Sequence, residues 1–339
     1  MHSMRKMMRT LLISLVTAVS LGFAANASAK TFKIATLSPE GSYWMTTMKA
    51  AAKEIAKQTE DRVKFRFYPG GVMGNDQAVL KKIRIGQLQG AAFSAGALAT
   101  RAPDTQVYNI PLLFQSYEQV DYVRKHMDAD LEAAFREAGF VNFGFAEGGF
   151  AYIMSKQAVA AADDLKKNKV WVPSDDAASQ SAVDSFGIAP VTLSLGDVLT
   201  GLQTDLIDTV AISPIGAIAL HWHTQVSHVL DLPILYIYAL LAIEQKSFSK
   251  LSEADQQVVD TIMRSAFEKM DKQNRKDNRD AFAALENQGL EITAPNTEQL
   301  KVWRARGKKA AVQFSERGKI SAPALEKLER LMSEFHGNL

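Results

Sequence analysis

Few residue types in this 339-residue chain stand at spacings that would do chemistry. His221-Trp222-His223 places two imidazoles two apart, which on a strand would share a face and could hold a metal. No third ligand has a matching spacing, and His228 is five residues on, so partly exposed histidines on a helix or its cap are the simpler reading. Ser94 lies in Gly90-Ala91-Ala92-Phe93-Ser94-Ala95-Gly96, which lacks the Gly-x-Ser-x-Gly turn that presents a nucleophile. Gly144-Phe145-Ala146-Glu147-Gly148-Gly149 lacks the Gly-x-Gly start and following helix of a dinucleotide loop. With no cysteine, thiol catalysis and thiolate metal sites are excluded. The residues thus point away from an enzyme, a cofactor or a metal, and toward binding. The best candidate is Lys169-Val170-Trp171-Val172-Pro173, a β-branched run ended by proline that reads as a short strand at a sheet edge. Trp171 faces the other side from Val170 and Val172. A lone large aromatic there either fills a core or walls a pocket, and we read it as a wall.

The elements that position it follow a leader. Arg5, Lys6 and Arg9 precede the uncharged apolar run Leu11 to Ala24, and Ala27-Ser28-Ala29 is a small-x-small cleavage site. Residues 1–29 therefore read as a signal peptide, with the mature chain starting at Lys30. The run is short against the roughly 20 residues a membrane span needs. Elsewhere Leu230 to Ile243 comes nearest, broken by Asp231 and Pro233. Without the three leader cations the formal charge falls from +2 to −1. A near-neutral body argues against a nucleic-acid partner. About 310 mature residues suffice for two lobes with separate cores.

Thr31 to Leu37 reads as a strand, Ser42 as the cap of a helix through Ala56, and Val63 to Tyr68 as a second strand. Gly74-Asn75-Asp76 opens another helix, and Gly90 to Phe93 is a third strand. This β-α-β-α-β order predicts a parallel sheet with ligand at the carboxyl ends of its strands. Val141 to Phe145 and Phe150 to Ser155 read as strands broken by Gly148-Gly149, a first crossing between lobes, and Val229 to Ala242 crosses back. Tyr236 and Tyr238 flank that return and read as core or hinge packing. Ser252 with Asp255 resembles a capping box opening a helix to Gln288. Its apolar face vanishes from Asp271 to Asp280 and then returns at Ala281, Phe282 and Leu285, so it should bridge two bodies over roughly 55 Å. Lys272, Arg275, Lys276 and Arg279, interleaved with Asp271, Asp277 and Asp280, read as a solvated face.

Ser38-Pro39-Glu40-Gly41-Ser42-Tyr43-Trp44, Tyr68-Pro69-Gly70-Gly71-Val72-Met73-Gly74-Asn75-Asp76, Lys169-x-x-x-Pro173 and Leu202-Gln203-Thr204-x-Leu206-Ile207-Asp208, together with the leader, resemble the DctP-type solute receptors of TRAP transporters. The resemblance runs in order along the whole mature chain. It implies an α/β, two-lobe periplasmic binding protein with hinge-crossing strands and one long helix spanning both lobes. The lobes would be 30–147 with about 238–275, and 148–237 with about 276–339. It also implies a monomer in the periplasm that catalyses nothing and hands a small solute to a small and a large permease subunit. A sensor-coupled receptor that docks on a signalling kinase is the alternative.

In relatives an arginine in a Lys-x-Arg-x-Pro strand clamps a carboxylate through its guanidinium fork. Here the matching position is Trp171, an anchoring asparagine becomes Ile212, and a second arginine becomes Phe150. A buried carboxylate without a cation is costly, so the expected ligand is larger and mainly apolar or aromatic, held between Trp44, Phe150 and Trp171. Asp76 and Ser94 would orient a hydroxyl, amide or cation, and Leu37, Tyr152, Leu195 and Ser213 complete the expected site. The alternative is an organic-acid receptor whose carboxylate is held by Lys33 or by backbone N–H groups.

Overall fold

The computed structural model describes residues 29–174 and 177–337; the expected leader, apart from Ala29, lies outside the described residues. Strands β1 (Lys30–Thr36), β2 (Val63–Tyr68) and β3 (Gly90–Ser94) alternate with helices α1 (Tyr43–Gln58) and α2 (Asp76–Arg84). All three strands are parallel, in the order β2-β1-β3. Ser42 caps α1 by accepting from the Met45 amide (3.2 Å), and Asn75 caps α2 by accepting from Ala78 (3.0 Å). Helix α3 (Tyr117–Glu137) then leads into β4 (Phe140–Ser155).

Strand β4 is continuous over sixteen residues, where two strands separated by Gly148-Gly149 were expected. The glycines form a bulge instead of a break, because β9 (Leu235–Glu244) pairs antiparallel beside them from Phe140 to Ala151. Gly149 sits at φ +92°, and a Cβ there would lie 2.4 Å from the Asn278 amide nitrogen. Beyond the bulge β4 enters the second lobe, pairing with β7 (Thr209–Ile212) and β8 (His228–Leu230). Strand β10 (Glu291–Thr293) joins β8, and a bridge between Val170 and Thr209 links the parallel pair β5 (Trp171–Pro173) and β6 (Val191–Leu193). The helices α4 (Ala177–Ser185), α5 (Val198–Gln203) and α6 (Pro214–Ala219) fill this lobe's connections. The short α7 (Gln245–Phe248) follows β9.

Helix α8 (Glu253–Asn287) is the expected spanning helix, 35 residues with Ser252 as its cap. Its first half buries Val259, Met263, Phe267 and Met270 against β1 and α1, while Phe282 and Leu285 pack into the second lobe's core. The Asp255 half of the expected capping box is absent because its carboxylate is gripped by Arg62 at 3.0 and 3.2 Å, which holds it below the usual carboxylate range. Helix α9 (Thr297–Glu316) packs on α4 in the second lobe, with Trp303 against Phe186. Helix α10 (Ala322–Gly337) returns to the first lobe, burying Leu325, Leu328 and Leu331 in the cluster that holds Val120, Val123 and Met127 of α3. The apolar stripe at Leu325, Leu328 and Leu331 needs a face to cover it, and α3 supplies one.

Candidate functional site

The two lobes aim their strand ends at one place. Ser94, the last residue of β3, pairs with Ala239, and Ile212, the last of β7, pairs with Tyr152. Both partners stand within a few residues of the crossing at Glu147–Gly149, so the carboxyl ends of β3 and β7 lie at the hinge, where strand topology puts a ligand cleft. Leu37, Ser94, Ile212, Ser213 and Leu195 stand at or just past strand ends. Asp76, at the first turn of α2, is buried and accepts from the Ser94 hydroxyl (2.6 Å) and amide (3.3 Å). Leu37 and Leu195 are each 39% exposed, and Val72 in the loop after β2 more so.

The expected aromatic cage is not assembled. Trp44 packs on the first lobe's core beside Met48 and Phe32. Phe150 packs against Tyr117 (4.8 Å between ring centroids) and Tyr236 (5.9 Å), and Tyr152 meets Phe282 at 4.9 Å. Trp171 lies in the second lobe's core, 7% exposed and edge-on to Trp222 at 5.2 Å, with its indole N–H donated to the Leu193 carbonyl (3.1 Å). The three rings belong to three different clusters. The reason is strand alternation: Phe150 and Tyr152 turn toward α3 and α8, while Ala151 between them takes the opposite face. Trp171 does oppose Val170, as expected, but its side of β5 is covered by Val198, Leu202 and Trp222. With its indole N–H given to Leu193 at the end of β6, the ring has no free donor.

The sequence placed the crossing at Gly148-Gly149 but did not show what holds it. Within the first lobe β4 is an edge strand, and α8 satisfies that edge with side chains. Asp271 accepts from the Glu147 amide (2.8 Å), Asn274 donates to the Glu147 carbonyl, and Asn278 donates to the Gly148 carbonyl (3.1 Å) while accepting from Ile215 at the start of α6 (3.3 Å). The Glu147 carboxylate, wholly buried, receives Arg124 (3.2 Å) from α3 and Arg275 (2.7 Å) from α8. Arg124 also reaches Asp271 (3.1 Å), Asp128 (3.1 Å) and the Tyr236 hydroxyl (3.2 Å). The solvated-face reading of Asp271 and Arg275 is therefore corrected; Lys276 with Asp280 (2.7 Å) is the exposed pair. Asp271, Asn274 and Asn278 recur at three- and four-residue steps, a polar stripe that could have been read as a strand-binding face. Tyr236 and Tyr238 pack in core and hinge, as expected.

Burial pushes the Asp271 carboxyl up to about 6, against the pull of Arg124. An acid whose folded pKa lies above its unfolded value takes up its proton first in the folded state. Stability therefore rises as pH falls from 7 through 6 to about 4, and that increment is lost on return to neutral pH. A shift of this size corresponds to about 3 kcal/mol over the whole window. Asp271→Asn is expected to flatten the slope, which urea unfolding of both proteins between pH 5 and 7.5 measures.

His221 sits at φ +58°, and His223 Nδ1 lies 3.1 Å from the Ala217 carbonyl, with Trp222 buried between them. Among the described residues no group of three or more His, Cys, Asp or Glu is arranged to hold a metal, and no helix is long and apolar enough to cross a membrane.

Residues 34–317 match the family model described as bacterial extracellular solute-binding protein, family 7 (DctP). The chain is 27% identical to a solute-binding protein of Chromohalobacter salexigens over a stretch covering 62% of this chain and 63% of that protein. It is 20% identical to the sialic acid-binding periplasmic protein SiaP of Vibrio cholerae, covering 85% of this chain and 91% of that one. In fold it matches a TRAP periplasmic solute-binding protein of Desulfovibrio salexigens, solved with bound orotic acid, at a TM-score of 0.81 and 15% identity, covering 91% of this chain and 99% of the other. A β-α-β lobe pair joined by crossing strands, a cleft at the strand ends and one helix bridging both lobes are the makings of a solute receptor, and with the family match they establish that this chain belongs to the DctP solute-binding family of TRAP receptors.

Proposed function

We propose that this receptor works in the periplasm, without catalysis, as a monomer that closes on a mainly apolar or aromatic solute larger than a C4-dicarboxylate and delivers it to the paired small and large TRAP permease subunits. The lobes would be 30–147 with about 238–275 and the C-terminal helix, and 148–237 with about 276–321. One observation carries the ligand class. The strand-end segments 36–41, 68–76, 94–98, 173–174, 193–197 and 212–214 hold no lysine or arginine among the described residues, yet they expose Leu37, Val72 and Leu195 to solvent. Lys82 reaches this rim and donates to the Met73 carbonyl (2.8 Å). A carboxylate entering here would lose water and find no guanidinium fork, only the Lys82 ammonium already turned to the Met73 carbonyl, whereas an apolar body would gain about 25 cal/mol for each Å² it buries. Ser94, Ser213 and the Asp76 carboxylate supply the few polar contacts that fix orientation.

A thermal-shift screen of the mature protein tests this. Uncharged aromatic, sterol-like or acyl compounds should raise the melting temperature, and Leu37→Glu with Leu195→Glu should abolish the rise. Stabilisation by C4-dicarboxylates or sialic acids instead would mean that backbone N–H groups grip an anion, and the proposed ligand class would be wrong.

A further inference from the structure

We propose that a cavity of about 260 Å³ between the hinge strand and the spanning helix is a second binding site, for a small aromatic zwitterion of the size of an aromatic amino acid. Its lining takes in Phe150 and Tyr152, which were expected around the cleft ligand, and Pro214 at the end of the rim segment 212–214, but none of Leu37, Asp76, Ser94, Leu195 and Ser213. Four rings line it, in two pairs: Tyr117 with Phe150 at 4.8 Å, and Tyr152 with Phe282 at 4.9 Å and 64°. The space is half open to solvent, so a ligand can reach it, and tilted and edge-on rings offer the faces and edges on which a flat ligand gains most. The volume lies below the roughly 300–1,000 Å³ of sites for drug-sized ligands, which sets the size class.

The charges set the rest. Asp231 and Arg279 also line this cavity, both exposed, and among the described residues neither has an ion-pair partner. One acid and one guanidinium beside a ring-lined space match an ammonium and a carboxylate on a single molecule, the guanidinium by a two-pronged hydrogen bond and the ammonium by the acid and the ring faces. Burial pushes the Tyr117 hydroxyl up to about 12 and the Tyr152 hydroxyl in the same direction, so both stay neutral and can donate. The walls come from both lobes, Tyr117 from α3 of the first and Phe282 from the packed end of α8 in the second. This site does not depend on what the cleft holds.

Calorimetric titration of the mature chain with L-phenylalanine, phenethylamine and 3-phenylpropionate tests it. L-Phenylalanine should bind about tenfold or more tighter than either singly charged analogue, since each ion pair needs to supply only about 1.4 kcal/mol for that factor. Asp231→Asn and Arg279→Gln, both at exposed positions, should each weaken it about tenfold, while Asp76→Asn leaves it unchanged. The proposal is overturned if L-phenylalanine does not bind at millimolar concentration or if all three probes bind alike. Binding that survives Asp231→Asn but is lost in Asp76→Asn would place the compound in the cleft and overturn it too.

Discussion

Replacing Glu147 by alanine is expected to lower the unfolding free energy by about 3–5 kcal/mol, the cost of stripping one partner from a buried ion pair. The carboxylate is wholly buried and is shared by two guanidiniums, Arg124 from α3 and Arg275 from α8. Without it Arg124, itself mostly buried, keeps Asp271 and Asp128, but Arg275 keeps only the exposed Asp121 and the face of Tyr117, 4.4 Å from its guanidinium. Asp121→Asn, which removes an exposed contact of the same arginine, should cost below about 1 kcal/mol. Guanidinium-induced unfolding of the three proteins reads the difference. Equal, small losses would mean that the network is a surface ornament and that the hinge is held by β4–β9 pairing alone.

This network also marks where the sequence stops being legible. The β-α-β-α-β start, the caps at Ser42 and Asn75 and the bridging helix were readable because they depend on neighbours within a few residues or on one helical period. The polar stretch 271–280 was read correctly as the place where α8 passes between lobes. Its chemistry was not, because Asp271 and Glu147 are 124 residues apart and nothing local says that β4 presents an open edge there. A charged helix face has the same composition whether water or a strand edge satisfies it. The direction in which Phe150 and Tyr152 point was hidden for a related reason. Alternation says that they share a face, but the Gly148-Gly149 bulge resets which face that is, and only the register with Ile237 and Tyr236 fixes it. That Leu37, Ser94, Ile212, Ser213 and Leu195 stand at or just past strand ends was legible because topology dictates that position.

Trp171→Ala is expected to cost about 3–5 kcal/mol of stability, the usual price of emptying a large aromatic site in a core. Its ring is 7% exposed and edge-on to Trp222, so the surrounding Val198, Leu202 and Ile212 would line the void left behind. The Leu193 carbonyl would also lose the indole N–H, at the rim where β6 ends. Trp171→Phe should recover most of the packing, and because the Leu193 carbonyl keeps the Ser174 amide (3.2 Å) the lost indole bond should cost only about 0.5–1.5 kcal/mol. A pure pocket wall would behave differently: alanine there would barely move the denaturation midpoint and would change ligand affinity alone. Trp171→Arg separates the readings further. If the position faced open cleft, the guanidinium would restore the family's ionic grip and C4-dicarboxylates would then raise the melting temperature. With Trp222 and Leu202 packed around the side chain, the charge instead enters a core with no acid beside it, and the variant should lose at least as much stability as the alanine form while gaining no dicarboxylate response.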